Sequence, residues 1–122
     1  MQVLATREGL TGKRTATGWI IDDHVAFCAL PSRKALHRHV RITNLKNGAT
    51  AIAEVLDVGP WSEEDDGYVF NQRRPMAEFN QRKMLGKPVE KHHTNGAGID
   101  LGEKVWNVLD MQDNSEVDWE FV

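Results

Sequence analysis

Residues Arg38 to Asn44 alternate strictly, with Val40 and Ile42 on one face and Arg41 and Thr43 on the other, and Asn47-Gly48 follows where the chain must reverse. A period of two is that of a half-buried strand, and Asn-Gly supplies the positive backbone dihedral a tight turn needs. Ala49 to Asp57, rich in small and branched apolar residues, reads as the return strand, so residues 38–57 form a hairpin or a closely related pair. A hairpin with one apolar face has to bury it against further elements, which points the search at other strands.

Those elements are present. Lys13 to Ile21 and Val25 to Leu30 have strand composition, Asp22-Asp23-His24 marks a turn between them, and Pro31 ends the second segment. Val117 to Val122 sets Val117, Trp119 and Phe121 against Asp118 and Glu120, a half-buried strand near the C-terminus. Leu101 to Met111 is the one helical stretch: Leu101, Val105, Val108 and Leu109 share a face, and Asp100 stands where it can cap the start. Trp61 to Gly98 carries many charges, two prolines and no sustained period. It reads as a long loop with some short helix, and loops of that length usually carry function. Several short strands and one helix suggest a small β-barrel.

Composition narrows the class. At 122 residues the chain has the size of one domain, read as 1–122, and 40% hydrophobic with 27% charged residues is the mix of a globular protein. No apolar run approaches the roughly 18 residues of a membrane helix, so no membrane partner is expected. Fifteen Lys and Arg against 18 Asp and Glu give a formal charge of −3, without the basic excess that nucleic acid would require. The single cysteine, Cys28, sits in the apolar run Val25-Ala26-Phe27-Cys28-Ala29-Leu30, so no internal disulfide forms and burial is expected. Met1 to Glu8 has neither a basic leader nor an apolar core, hence no secretory signal is read there. The site of action stays open, and a monomer is expected.

Three short segments say more together than apart: Thr15-Ala16-Thr17-Gly18, Val55-Leu56-Asp57-Val58-Gly59-Pro60-Trp61, and Gly96-Ala97-Gly98-Ile99-Asp100-Leu101-Gly102. Their order resembles that of the double-psi β-barrel of the rare lipoprotein A and expansin group, which shows a TASG-like start, a DRGP-like strand end and an IDLS-like helix entry. The resemblance runs over roughly residues 13–122. It implies a mainly β, six-stranded double-psi β-barrel with one short helix, the 61–98 insertion, and a substrate groove across one face. Members of the group include peptidoglycan lytic transglycosylases, small-barrel endoglucanases, non-hydrolytic expansins and protease-inhibiting barrels, so the site must decide between them.

Asp57 ends an apolar strand, where a carboxylate is desolvated on one side as a general acid requires, and it equally suits a cap on the Gly-Pro turn. The resemblance implies an acidic residue there. Asp100 suits a helix cap, while the matching residue in expansins, small-barrel endoglucanases and a membrane-bound lytic transglycosylase is the acid that faces the glycan. Asp57 and Asp100 are thus the catalytic candidates. Rare lipoprotein A members have Glu directly after their TASG-like motif, whereas this chain has Trp19, so Asp22 or Asp23 would have to replace it. Thr17, Trp61, Asp22, Asp23 and His93 are the expected substrate-binding residues, Trp61 because a flat ring stacks on a sugar face. Trp106 and Trp119 are expected in the core.

His92-His93 and His37-x-His39 raise the question of a metal. Adjacent histidines point apart and no Cys pair or His-Glu helix motif accompanies them, so no metal and no cofactor are expected. Glu63-Glu64-Asp65-Asp66 is read as a solvated run without the alternate spacing of a calcium loop. The expected function is cleavage of peptidoglycan by a lytic transglycosylase-like enzyme using aspartate acid and base in a surface groove, a product fitting a phage that reaches the wall through lysis. The alternative is a non-catalytic carbohydrate- or protein-binding barrel, expansin-like or protease-inhibiting, or one in which the 61–98 insertion docks a protein through Arg73, Arg74 and Phe79.

Overall fold

Six strands close on themselves in the computed structural model, which describes residues 1–9, 11–61, 64–79 and 94–122. They are β1 (Gln2–Glu8), β2 (Phe27–Leu30), β3 (His39–Asn44), β4 (Thr50–Val58), β5 (Ile99–Gly102) and β6 (Ser115–Phe121). The order around the barrel is β1-β5-β2-β4-β3-β6. β1 with β5 and β2 with β4 run parallel, while the other neighbours are antiparallel. This is the double-psi β-barrel.

Every strand feeds the interior by the same rule, two apolar residues spaced i and i+2: Val3 and Ala5, Cys28 and Leu30, Val40 and Ile42, Ala53 and Val55, Ile99 and Leu101, Val117 and Trp119. A period of two sends such pairs to one face, and closure turns that face inward. Cys28 is fully buried, as its apolar run implies. The expected hairpin is β3 and β4, paired from His39↔Glu54 to Thr43↔Thr50, with Gly48 at φ 76° in its turn. The buried Asn44 amide donates to Leu109 O at 2.9 Å and ties the turn to the end of the C-terminal helix.

Four expectations shift. Gln2–Glu8 is a strand at the heart of the barrel, although the sequence reading assigned it none. Lys13 to Ile21 is not a strand: Gly18 N donates to Thr15 O, Gly18 adopts φ 87°, and a single bridge joins Arg14 to Ile20. A glycine in the left-handed region breaks the extended run that composition suggested. The helix is shorter than Leu101 to Met111, because Ile99–Gly102 is β5 and only Glu103–Val108 (α2) is helical. Asp100 therefore caps nothing; Gly102 holds the cap position and has no side-chain bond to offer. There is also more than one short helix, since α1 (Asp66–Val69) and a 3-10 turn (Arg33–Ala35) precede α2.

Two glycines of the third motif are packing residues. A Cβ on Gly102 would lie 2.3 Å from the buried ring of Phe27, and one on Gly98 would lie 2.8 Å from the Tyr68 hydroxyl. The Phe27 ring, with Ile21, Leu56, Trp19 and Val25, forms a small second cluster beneath the 11–25 segment. Trp106 and Trp119 are buried as expected.

Candidate functional site

Strand pairing lines up one row of side chains across four adjacent strands: Thr6 pairs with Asp100, Asp100 with Ala29, and Ala29 with Asp57. Paired residues share a face, so the row is set by register. Asp57 would lie on the inward face with Ala53 and Val55, except that the β2–β4 register slips between Cys28↔Val55 and Ala29↔Asp57. That irregularity moves Asp57 to the face that carries Asp100. Ala29 between them is small, and two strand spacings put the two aspartate backbones roughly 10 Å apart.

The three sequence motifs converge here. Ala16 N donates to Asp57 Oδ1 at 3.0 Å, and Val58 N donates to the same oxygen at 2.8 Å. Thr17 Oγ1 reaches Leu56 O at 3.4 Å and lies 2.9 Å from Thr15 Oγ1. Gly59, preceding a cis Gly59-Pro60 bond, comes so near β5 that a Cβ on it would be 3.9 Å from Asp100 Oδ2. Trp61, 46% exposed at φ 66°, donates its Nε1–H to Asn95 Oδ1 at 2.9 Å. The same oxygen takes Ala97 N at 3.0 Å, so the third motif also fixes the ring of the second.

Asp100 accepts a hydrogen bond from Thr6 Oγ1. Burial lifts its carboxyl from 3.8 to about 6; the Thr6 bond opposes that rise and the charge of Asp57 adds to it. A carboxyl held there populates both protonation states near neutral pH.

The residue that sequence reasoning missed is Glu8. It ends β1 two residues after Thr6, on the same face, beside the bare Gly102. Burial raises its carboxyl to about 9, helped by a hydrogen bond to Asp57 and by the charges of Asp57 and Asp100. Its buried Oε2 has no hydrogen-bond partner among the described residues. Two ionised carboxylates present only acceptors to one another, so the Glu8–Asp57 contact is a hydrogen bond only when Glu8 keeps its proton and donates it. The signal in the sequence was the spacing of Thr6 and Glu8 opposite Val3 and Ala5, which Thr-Arg-Glu-Gly disguised as a charged surface run.

Asp22 and Asp23 do not join the cluster. Asp22 Oδ1 accepts His24 N at 2.8 Å within its own turn, and Asp23 accepts from Thr11 Oγ1. Trp19 stands edge-on to Phe27, ring centroids 4.8 Å apart. His93 lies outside the described residues, as do His92 and Glu63. His37 and His39 flank Glu54 at 3.1 and 3.9 Å. Among the described residues no group of three His, Cys, Asp or Glu side chains is placed to hold a metal ion, and no helix is long and apolar enough to cross a membrane. Arg74 is committed to Glu78 and to Gln2 O.

A concavity of about 500 Å³, lined by Tyr68, Phe70, Trp119 and Phe121 among others, lies elsewhere and shares no residue with the carboxyl row. Its polar floor is satisfied, since Tyr68 takes the Trp119 Nε1–H at 2.6 Å and donates to Gly98 O at 2.9 Å.

Fold and site together define a double-psi β-barrel protein that gathers three carboxyls, Glu8, Asp57 and Asp100, on one side of the barrel. The chain belongs to the family described as Domain of unknown function (DUF8814), whose model matches residues 1–120. No curated protein matches it. Among solved structures it is similar to the Streptomyces papain inhibitor (SPI), with a TM-score of 0.53 and 17% identity over 100% of this chain and 93% of that one. It is also similar to cerato-platanin 3 from M. perniciosa (MpCP3), with a TM-score of 0.53 and 11% identity over 100% of this chain and 94% of that one. At these identities the likeness is one of fold. Membership lies with DUF8814, and the resemblance to the rare lipoprotein A and expansin group extends to the barrel.

Proposed function

We propose that the groove of Asp57, Asp100 and Trp61 takes a cell-wall glycan and that the protein cleaves it in the manner of a lytic transglycosylase. The observation that carries this reading is Asp100: a largely desolvated carboxyl held at about 6, bonded to Thr6, with only the side-chain-less Gly59 packed near its second oxygen. In that state it can protonate the glycosidic oxygen. The same carboxylate then accepts the proton of the sugar's own C6 hydroxyl as that oxygen attacks the anomeric carbon, giving a 1,6-anhydro end with no water consumed. Asp57, across Ala29, supplies negative charge toward the cationic transition state, and Trp61 offers its ring to a sugar face.

A second reading has its own support. Trp19 occupies the position of the missing glutamate and packs on Phe27, and Asp22 and Asp23 are bonded elsewhere. A barrel that binds without cleaving fits those facts, and one solved structure of similar fold is a papain inhibitor. Mass spectrometry of soluble products from peptidoglycan incubated with the wild type, D57N and D100N separates the two. Anhydro-muropeptides from the wild type and none from D100N are expected. Intact glycan together with co-sedimentation selects the glycan-binding barrel, and inhibition of a papain-class protease without glycan retention selects the protein-binding one.

A further inference from the structure

We propose that Glu8 is a positioning residue: its proton, donated to Asp57, holds the 13–21 segment against the barrel and so makes the edge of the groove sensitive to pH. For its part in glycan handling the inference rests on the function proposed above; the proton link itself does not.

The argument is one of donors and acceptors. Asp57 Oδ1 already receives two N–H groups, from Val58 on its own strand and from Ala16 across the groove. The Ala16 bond and the weaker Thr17 bond to Leu56 O join that segment to β4. Asp57 can hold both amides only while its side chain keeps this orientation, and the group in contact with it is the Glu8 carboxyl. While Glu8 is protonated, its O–H donates to Asp57 and fixes the orientation. Once Glu8 ionises, two carboxylates meet in a partly desolvated space, and one must turn away.

The surroundings favour the proton. Asp57 on β4 and Asp100 on β5 are both acidic, and the buried Cys28 of β2 is a neutral thiol that burial pushes up. Arg7, the adjacent cation on β1, pairs with Glu103 of α2 instead. None of the groups named in contact with Glu8 offers a positive charge. The unpaired inner oxygen agrees with the acidic neighbours: a carboxyl that meets another acceptor among negative charges keeps its proton.

The test is a carbon-detected NMR titration of the folded wild type and of E8Q between about pH 5 and about pH 10. The Glu8 side-chain carboxyl carbon is expected to step near pH 9, with the Ala16 and Thr17 methyl signals moving at the same midpoint. In E8Q the amide donates at every pH, so those methyl signals stay flat and wild-type-like at neutral pH. A Glu8 carboxyl that titrates in the ordinary glutamate range overturns the proposal, as do methyl signals that ignore the Glu8 step. The wild-type titration decides even if E8Q does not fold. Retention on insoluble peptidoglycan, read over the same range, falls above about pH 9 in the wild type and not in E8Q. A wild type that binds no glycan at any pH refutes the proposed function while leaving the methyl titration to judge Glu8.

Discussion

Asp100→Asn is expected to stabilise the protein while disabling it. Lifting the carboxyl from 3.8 to about 6 makes its ionised form unfavourable by roughly 3 kcal/mol, at ~1.36 kcal/mol per pH unit. The folded protein holds this proton more tightly than the unfolded chain does. The destabilisation is therefore absent below about 3.8, grows as pH rises, and is complete above about 6. Asparagine never ionises, keeps the size of the side chain, and still offers an oxygen to Thr6 Oγ1. Urea unfolding followed by tryptophan fluorescence is expected to give nearly equal stabilities near about pH 3.5 and an advantage of roughly 2–3 kcal/mol for the variant near about pH 7. Stability exchanged for function is common at active sites. A variant no more stable than the wild type at neutral pH, or a difference that does not change with pH, refutes the reasoning about Asp100.

Trp61→Ala should abolish retention on peptidoglycan with a stability change within about 1 kcal/mol, since the ring is 46% exposed; equal retention would remove Trp61 from the groove. Gly102→Ala drives a Cβ into the Phe27 ring and is expected to destabilise by about 3 kcal/mol in denaturant titrations, because Phe27 is fully buried and cannot move aside. Tyr68→Phe leaves the Trp119 Nε1–H and Gly98 O unpaired and should lower stability by ~1–3 kcal/mol. Its rate on glycan at a temperature where it stays folded is expected to match the wild type, because Tyr68 lines a concavity that holds none of the carboxyl row.

Much of the barrel was legible because alternation and turn chemistry are local. Val40, Ile42, Asn47-Gly48 and Val117, Trp119 each announce a strand or its reversal within a few residues, and the structure has those strands. The errors fall where a tertiary partner decides. Gln2–Glu8 shows only a brief alternation and becomes a strand through β5 and β6 on either side. Leu101 shares the apolar spacing of Val105, Val108 and Leu109, yet β1 and β2 claim it, within Ile99–Gly102, for the sheet. The site followed the same pattern. Asp57 and Asp100 could be singled out, but their common row depends on a register slip opposite Ala29, which no local signal in the sequence marks. Glu8 left only the short Thr6/Glu8 spacing as a trace, and the acidic partners that perturb it stand about 50 and 90 positions away in sequence.

The central claim is that three separated motifs build one groove for a glycan. Chemical-shift mapping of the labelled protein with a soluble muroglycan fragment tests it most directly. The account predicts that the signals of Ala16, Thr17, Asp57, Asp100 and the Trp61 indole N–H move together and saturate with a single affinity. Shifts confined to Phe70, Trp119 and Phe121, or none at any concentration of fragment, would contradict it.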